Sequence, residues 1–410
     1  MERKEHIVMS SLRANGKERK SLLVLSSVNH PQIMQEYEGL RKYYKVKYIE
    51  TSFHKNFVKI KPEKKFWTLL RNIPSTALFI VKYRILPPLS PLSFPLFLLY
   101  APLILSLYEK QVKIDLIYAH WLYPAGFVGS ILKKLINRKL VTAIWGFDID
   151  ASISKGLTNT LLRHLSKCII MQSDLIITNH IIHKNIAKLL AGNQHARKII
   201  YIPPGNQQLK VEEKNPEEIK KRFFIPPWSR IILYSPSLER IYGIEEFIKA
   251  ADKISAKFPD VFFVVVGDCE DKKRKESVIS MVKGMKFGDR IKLLGKVPFN
   301  YMPLLYYIST IVFDSCYKGQ GTTTIEAFSL GKPVIGFKTP KRLVNHGVNG
   351  YLIKKGDILN LERYLSTLLT NNNLLNSLGN NALDAFKSRF NLEKRINKLL
   401  EIFDSVIKHG

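Results

Sequence analysis

Short apolar runs recur along this chain, each bounded by turn-forming or charged residues. Ser21–Val28, Tyr44–Ile49, Asp115–Ala119, Leu140–Ile144, Ser173–Thr178 and Ile199–Ile202 fill the first half. Ile231–Ser235, Val261–Val266, Arg290–Leu294, Ile311–Phe313 and Val334–Phe337 fill the second. They are continuous rather than alternating and rich in Ile, Val and Leu. That is the pattern of strands covered on both faces, as in a parallel sheet. Between them lie stretches of helical period, such as Phe127–Lys139, the segment opened by Gly243, Tyr301–Ser309 and Leu392–Lys408. Strand and helix alternate throughout, which predicts an α/β fold of βαβ units. A chain of 410 residues is too long for one typical core, so two domains are expected. Pro203, Pro204 and Gly205, followed by the polar, lysine-rich stretch 206–229, mark the boundary.

One apolar run does not fit the strand pattern. Residues 92–107, LSFPLFLLYAPLILSL, are almost wholly apolar but too short for a membrane span, and Pro95 and Pro102 interrupt them. Two readings stand side by side: a buried helix pair, or helices dipping into a membrane surface.

The net charge of +30, from 64 basic and 34 acidic residues, calls for an acidic partner: nucleic acid, anionic lipid or a phosphorylated substrate. The basic residues are scattered, with neither a recognition helix nor zinc spacing, so no specific nucleic acid is expected. The charge tilts residues 92–107 toward an anionic membrane surface. Cys168, Cys269 and Cys316 are too far apart to form a disulfide framework or a metal set. With a charged rather than apolar opening segment, they point to a reducing, cytoplasmic setting, peripheral to the membrane if the apolar run touches it.

The densest chemistry lies in Ile311–Phe337, IVFDSCYKGQGTTTIEAFSLGKPVIGF, read as strand, glycine loop, helix and strand. Gly319 and Gly321 allow a tight turn and close approach to a ligand. Thr322, Thr323 and Thr324 place hydroxyls where the first helical amides lack partners, and such a helix start attracts anions. Glu326 follows about one turn on, where a carboxylate can accept ribose hydroxyls. These residues describe either a nucleotide-sugar site or an ordinary βαβ crossover with a surface glutamate.

The run KGQGTTTIEA, followed by Gly331, Lys332, Pro333, Val334 and Ile335, resembles the signature of the retaining glycosyltransferases of family four. The resemblance spans roughly residues 115–410. It implies the GT-B fold: two Rossmann-like domains facing across a cleft, with 1–205 binding the acceptor and 206–390 the donor. Residues 391–410 would be a helix crossing back to the first domain. It implies transfer of a sugar, with retention, from a UDP- or GDP-sugar to a glycan or lipid-linked acceptor, without metal or other cofactor. Glu326 takes the place of the signature's second glutamate. Ser237, Tyr242, Gly267, Val297, Gly319, Gly321, Thr322 and Thr323 fall at donor positions. His120, Trp145, Gly146 and Asp148 fall at acceptor-side positions.

Several residues depart from the family pattern. Lys318 stands for the first glutamate, Ser237 for the usual arginine and Tyr242 for the lysine that binds diphosphate. Trp145 stands for a histidine beside the donor sugar. Lys318 and Arg240 supply cations in the same two loops, and with Glu326 they are the candidate catalytic groups. Asp148 and Asp150 spell an Asp-x-Asp metal motif of a different fold, which the surrounding sequence does not support. Two alternatives to an active transferase follow. One is a degenerate GT-B protein that binds without catalysis, suggested by the departures. The other is a nucleic-acid modifier, suggested by charge alone.

Overall fold

The computed structural model describes residues 19–28, 30–51, 100, 103–104, 107–108, 113–154, 156–213, 215–316 and 321–408. The chain divides into two compact units. One comprises residues up to Pro203 together with Ile396 onward; the other runs from Pro204 to Arg395.

The first unit is built on a six-stranded parallel sheet of order β2-β1-β3-β4-β5-β6. Its strands are β1 (Ser21–Ser26), β2 (Lys45–Glu50), β3 (Leu116–His120), β4 (Lys139–Ile144), β5 (Leu175–Thr178) and β6 (Ile199–Tyr201). The helices are α1 (Pro31–Leu40), α2 (Phe127–Ile136), α3 (Phe147–Ile153), α4 (Leu157–Gln172) and α5 (Ile181–Ala191). The register β1 to β3 pairs Ser26 with His120, and β3 to β4 pairs His120 with Ala143. The strands therefore end together, and the residues that follow them share one edge of the sheet. The fully apolar runs are buried on both faces, which is why they do not alternate.

Of the apolar run 92–107, Tyr100, Leu103, Ile104 and Leu107 are described. Tyr100, Ile104 and Leu107 are buried in the core of this unit. The rest of the run, with Pro95 and Pro102, lies outside the described residues. Among the described residues no helix is long and apolar enough to cross a membrane.

The second unit repeats the architecture with the order β12-β11-β10-β7-β8-β9, all parallel. Its strands are β7 (Arg230–Tyr234), β8 (Val261–Val266), β9 (Ile291–Gly295), β10 (Ser309–Asp314), β11 (Val334–Phe337) and β12 (Gly350–Ile353). Helices α6 (Pro216–Arg222), α7 (Ile244–Lys257), α8 (Lys272–Lys283), α9 (Met302–Ile308), α10 (Thr322–Ser329), α11 (Ile358–Thr370) and α12 (Asn372–Ala385) complete it. Its two sheet faces carry separate cores, one around Phe247, Phe263 and Phe313, the other around Tyr306, Ile325 and Phe328. Each of the two units is thus a parallel sheet with helices on both faces, as the GT-B fold requires.

The last helix, α13 (Leu392–Lys408), belongs to both units. Its first turn stays with the second: Asn391 pairs with Asn206, and Arg395 lies against Gly205. From Ile396 it joins the first, where Phe403 meets the rings of Tyr118 and Tyr44, and Asp404 pairs with Lys20 at 2.9 Å. The two units thus divide at 203/204 and 395/396.

Lys332, just after α10, is largely enclosed, with its ammonium 5.9 Å from the Tyr307 ring. Burial lowers its pKa to about 8. The folded state therefore holds fewer protons than the unfolded chain between pH 8 and about 10.5, and stability rises with pH across that window. Below pH 8 the full penalty of burying the charge is present. Lys332→Met is expected to raise stability at pH 7 by ~1–2 kcal/mol and to flatten this rise. Urea unfolding at pH 7 and 9.5 measures both, and an unchanged slope contradicts the assignment.

Candidate functional site

In the second unit the ends of β7, β8 and β10 are tied to one loop, Ser237–Tyr242. Tyr234, the last residue of β7, is buried, and its hydroxyl donates to the Ser237 carbonyl at 2.7 Å and lies 3.2 Å from that of Tyr242. Burial raises its pKa well above the ordinary tyrosine value. The loop that carries Ser237, Arg240 and Tyr242 is thereby tied to its strand. Ser237 Oγ donates to the Asp268 carbonyl at 3.1 Å, and Gly267 N–H donates to Gly295 O at 2.9 Å, which links the ends of β8 and β9. Gly267 has φ +134, and a Cβ there would lie 2.3 Å from the Pro236 oxygen, so only glycine lets the end of β8 approach the loop after β7. Ser315 Oγ donates to the Tyr242 carbonyl, joining the end of β10 to the same loop. Val297 follows β9 and packs on the core that contains Tyr306. Arg240 is exposed in a short turn; against the upward push of burial, the hydrogen-bonded Arg274 holds the Glu245 carboxyl below the ordinary value, and Arg240 adds to it.

Helix α10 is not capped by its threonines. The Thr324 hydroxyl donates to Asp314 Oδ2 at 2.5 Å, and the amides of Gly321, Cys316 and Thr324 donate to the same carboxylate. The expectation that the Thr322–Thr324 hydroxyls meet the first helical amides is therefore corrected. A strand-end carboxylate binds N–H groups more strongly than a hydroxyl does. Asp314 is 2% exposed, and burial keeps its pKa above the usual range despite four hydrogen bonds. Among the described residues, the amides of Thr322 and Thr323 are the ones this turn leaves to an anion. Lys318 and Gly319 lie outside the described residues.

Glu326 is largely buried one turn into α10. It takes a hydrogen bond from the Tyr306 hydroxyl, which also meets Ser235 Oγ at 2.8 Å. Ser235 Oγ in turn lies 3.5 Å from Thr323 Oγ1. Burial raises the Glu326 pKa, and nearby Asp314 adds to the rise. Glu326, Thr323, Ser235 and Tyr306 thus form one polar group at the C-terminal ends of β7 and β10, where open α/β sheets bind ligands. Asp314, Tyr306 and Ser235 were not singled out from the sequence. Asp314 had a signal, a lone acid closing an apolar strand; Tyr306 reads as an ordinary core aromatic.

In the first unit the candidate residues also gather at the strand ends. Trp145 Nε1 donates to His120 Nδ1 at 3.0 Å, which leaves the His120 proton on Nε2, 3.8 Å from Glu36 Oε1. Tyr118 donates to the same Glu36 oxygen at 2.6 Å. His120 and Glu36 are each 1% exposed, and Trp145 lies beside His120 as the more accessible of the pair. Trp145 is half-buried, with Trp121 at 6.3 Å and nearly parallel, and His30 at 6.0 Å. Gly146 has φ +136, and a Cβ there would lie 2.8 Å from His183 Cε1. Asp148 is buried and accepts from Leu122 N at 2.8 Å and Gly146 N at 2.9 Å. Both its oxygens accept from the backbone, which shapes the loop. Among the described residues no cluster of three or more His, Cys, Asp or Glu side chains could hold a metal ion.

Known proteins resemble this chain in sequence and in fold. Residues 215–385 match the family "glycosyl transferases group 1". The N-acetyl-alpha-D-glucosaminyl L-malate synthase of Bacillus anthracis is 23% identical over 320 residues, 75% of this chain and 81% of that protein. The putative teichuronic acid biosynthesis glycosyltransferase TuaC of Bacillus subtilis is 25% identical over 233 residues, 55% of this chain and 54% of its own. Among solved structures, Anabaena HepE in complex with UDP and glucose superposes with a TM-score of 0.70 at 18% identity, covering 94% of this chain and all of HepE. Sucrose-phosphate synthase from Thermosynechococcus elongatus gives 0.69 at 18% identity, covering 96% of this chain and 100% of that one.

Proposed function

We propose that this chain, a glycosyl transferase of group 1 by the match over its second unit, moves a sugar from a nucleotide diphosphate sugar to a glycan or lipid-linked acceptor. The reading is carried by one arrangement. The start of α10 offers main-chain N–H groups beside a largely buried glutamate at the ends of parallel strands. Thr322 and Thr323 amides receive the diphosphate, and Glu326 accepts the ribose hydroxyls. Gly267 and Val297 line the base side. Charge gathers on the leaving phosphate as the glycosidic bond breaks, so cations must be in place beforehand. Lys318 and Arg240 supply it in place of the family's arginine and lysine. The sugar is transferred with retention: a donor phosphate oxygen takes the acceptor proton on the face from which the leaving group departs. The protein cations neutralise the diphosphate, so no metal is needed. The face of Trp145, steadied by His120, stacks against a sugar ring. The HepE complex with UDP and glucose and the HepE complex with UDP support UDP over GDP as the donor nucleotide. We place the reaction on the cytoplasmic side, a reading supported by the three cysteines, none of which forms a disulfide among the described residues.

Lys318→Ala and Arg240→Ala are each expected to weaken donor binding roughly tenfold or more, since a charged hydrogen bond contributes ~1.5–3 kcal/mol. Titration calorimetry with UDP measures this, and two unchanged affinities would remove both cations from the site. A second reading, donor binding without catalysis, rests on Ser237 and Trp145 standing where the family has an arginine and a histidine. Turnover of a panel of nucleotide sugars separates the two: release of free nucleotide supports the transferase, and binding without release supports the second reading.

A further inference from the structure

A surface at the opposite strand ends of the second unit carries an inference that does not rest on the donor site. Helix α6 closes with Phe223 and Phe224 rather than glycine. Phe224 N–H donates to Lys221 O and Ile225 N–H to Lys220 O, the bonds of a left-handed helix stop. Phe224 accordingly has φ +54, a conformation that a bulky L-residue adopts only under strain. Its ring gains almost no burial from the fold in return, because the residue is 82% exposed. Strain held at an exposed apolar residue points to an outside partner.

Four residues on, Trp228 is 58% exposed. The turn that displays it is braced: Lys220 Nζ donates to Pro227 O at 2.7 Å and Ser229 O at 2.8 Å, and Ser229 Oγ to Pro226 O at 2.6 Å. Cations collar both rings. Lys292 Nζ lies 5.4 Å from Phe224, and the Arg290 guanidinium lies 5.7 Å from Trp228 and 5.2 Å from Phe262. Most of the nearby acids are paired: Asp289 lies 3.7 Å from Arg290, Glu213 pairs with Arg222 and Asp260 with Arg230, while Glu217 and Glu218 stand in the first turn of α6. Phe262 and Arg290 stand at the starts of β8 and β9, whereas Gly267 and Gly295 stand at their ends, so this surface is separate from the candidate donor site.

We infer that Phe224 and Trp228, with Arg290 and Lys292, form a docking surface for an anionic lipid bilayer. Exposed rings enter the headgroup layer while long cationic side chains beside them reach lipid phosphates. The net charge of +30 draws the chain to such a surface from a distance.

The test is sedimentation of the full chain with phosphatidylcholine vesicles, with and without phosphatidylglycerol. Wild-type protein is expected to bind the anionic vesicles, and less so as salt rises. Phe224→Gly removes the ring and relieves the backbone strain. It is expected to weaken vesicle binding roughly tenfold while raising the unfolding temperature, since an anchoring ring contributes about that much. Trp228→Ala is expected to weaken binding similarly. The inference is overturned if wild-type protein ignores the anionic vesicles, or if both variants bind them as wild type does. It is also overturned if the variants lose retention on duplex DNA while vesicle binding stays intact.

Discussion

Glu326→Ala is expected to weaken donor binding about 30- to 200-fold and to leave the fold standing. The carboxylate is proposed to accept two ribose hydroxyls, and losing a charged acceptor costs ~2–3 kcal/mol. Transfer measured at donor concentrations below saturation should fall by at least the same factor. The fold tolerates the change because burial already disfavours this carboxylate, so its removal also lifts a desolvation penalty. The same burial sets the pH dependence. The ionised form binds the hydroxyls, and its pKa is raised above the ordinary 4.5. Donor affinity should therefore drop on acidification at a higher pH than an ordinary glutamate allows. Glu326→Gln should lose that limb of the profile while unfolding like wild type. A variant that keeps wild-type donor affinity at neutral pH removes Glu326 from the site.

Asp314→Ala should do what Glu326→Ala does not: unfold the protein more readily as well as impair binding. One buried carboxylate satisfies three amides and the Thr324 hydroxyl where β10 passes into the loop before α10. Removing it strands those donors away from water, at a cost of ~3–5 kcal/mol. Urea unfolding reads the loss directly, and a change below about 1 kcal/mol contradicts the role assigned to Asp314. Donor affinity should fall too, because the turn that presents Thr322 and Thr323 is no longer held.

The strands were legible in the sequence because a parallel sheet buries both faces, and a continuous apolar run has few other uses. The glycines at strand ends were legible for a similar reason. Gly267, with the Pro236 oxygen pressed against it, admits nothing larger. The capping of α10 was not legible, since three threonines in a row look sufficient until a carboxylate ten residues earlier is seen to reach the same amides. His120 read as a strand-end ligand; its burial depends on Glu36 from α1 and on the Trp145 indole, a contact that no local pattern records. The return of the last helix to the first unit was an expectation of the family resemblance, whereas the residue at which it changes unit carries no local signal, since the helix continues unbroken past Arg395. The strain at Phe224 was equally hidden, because it comes from a backbone angle rather than from residue type.

The central claim is that main-chain amides at the start of α10 receive a diphosphate while Glu326 grips the adjoining ribose. A calorimetric cycle tests it most directly: UDP and 2′,3′-dideoxy-UDP, each titrated into wild-type protein and into Glu326→Gln. The account predicts that wild type prefers UDP by roughly tenfold or more and that the variant loses this preference while still binding the dideoxy nucleotide. Equal affinity of wild type for the two nucleotides, or a preference that survives in Glu326→Gln, would contradict it.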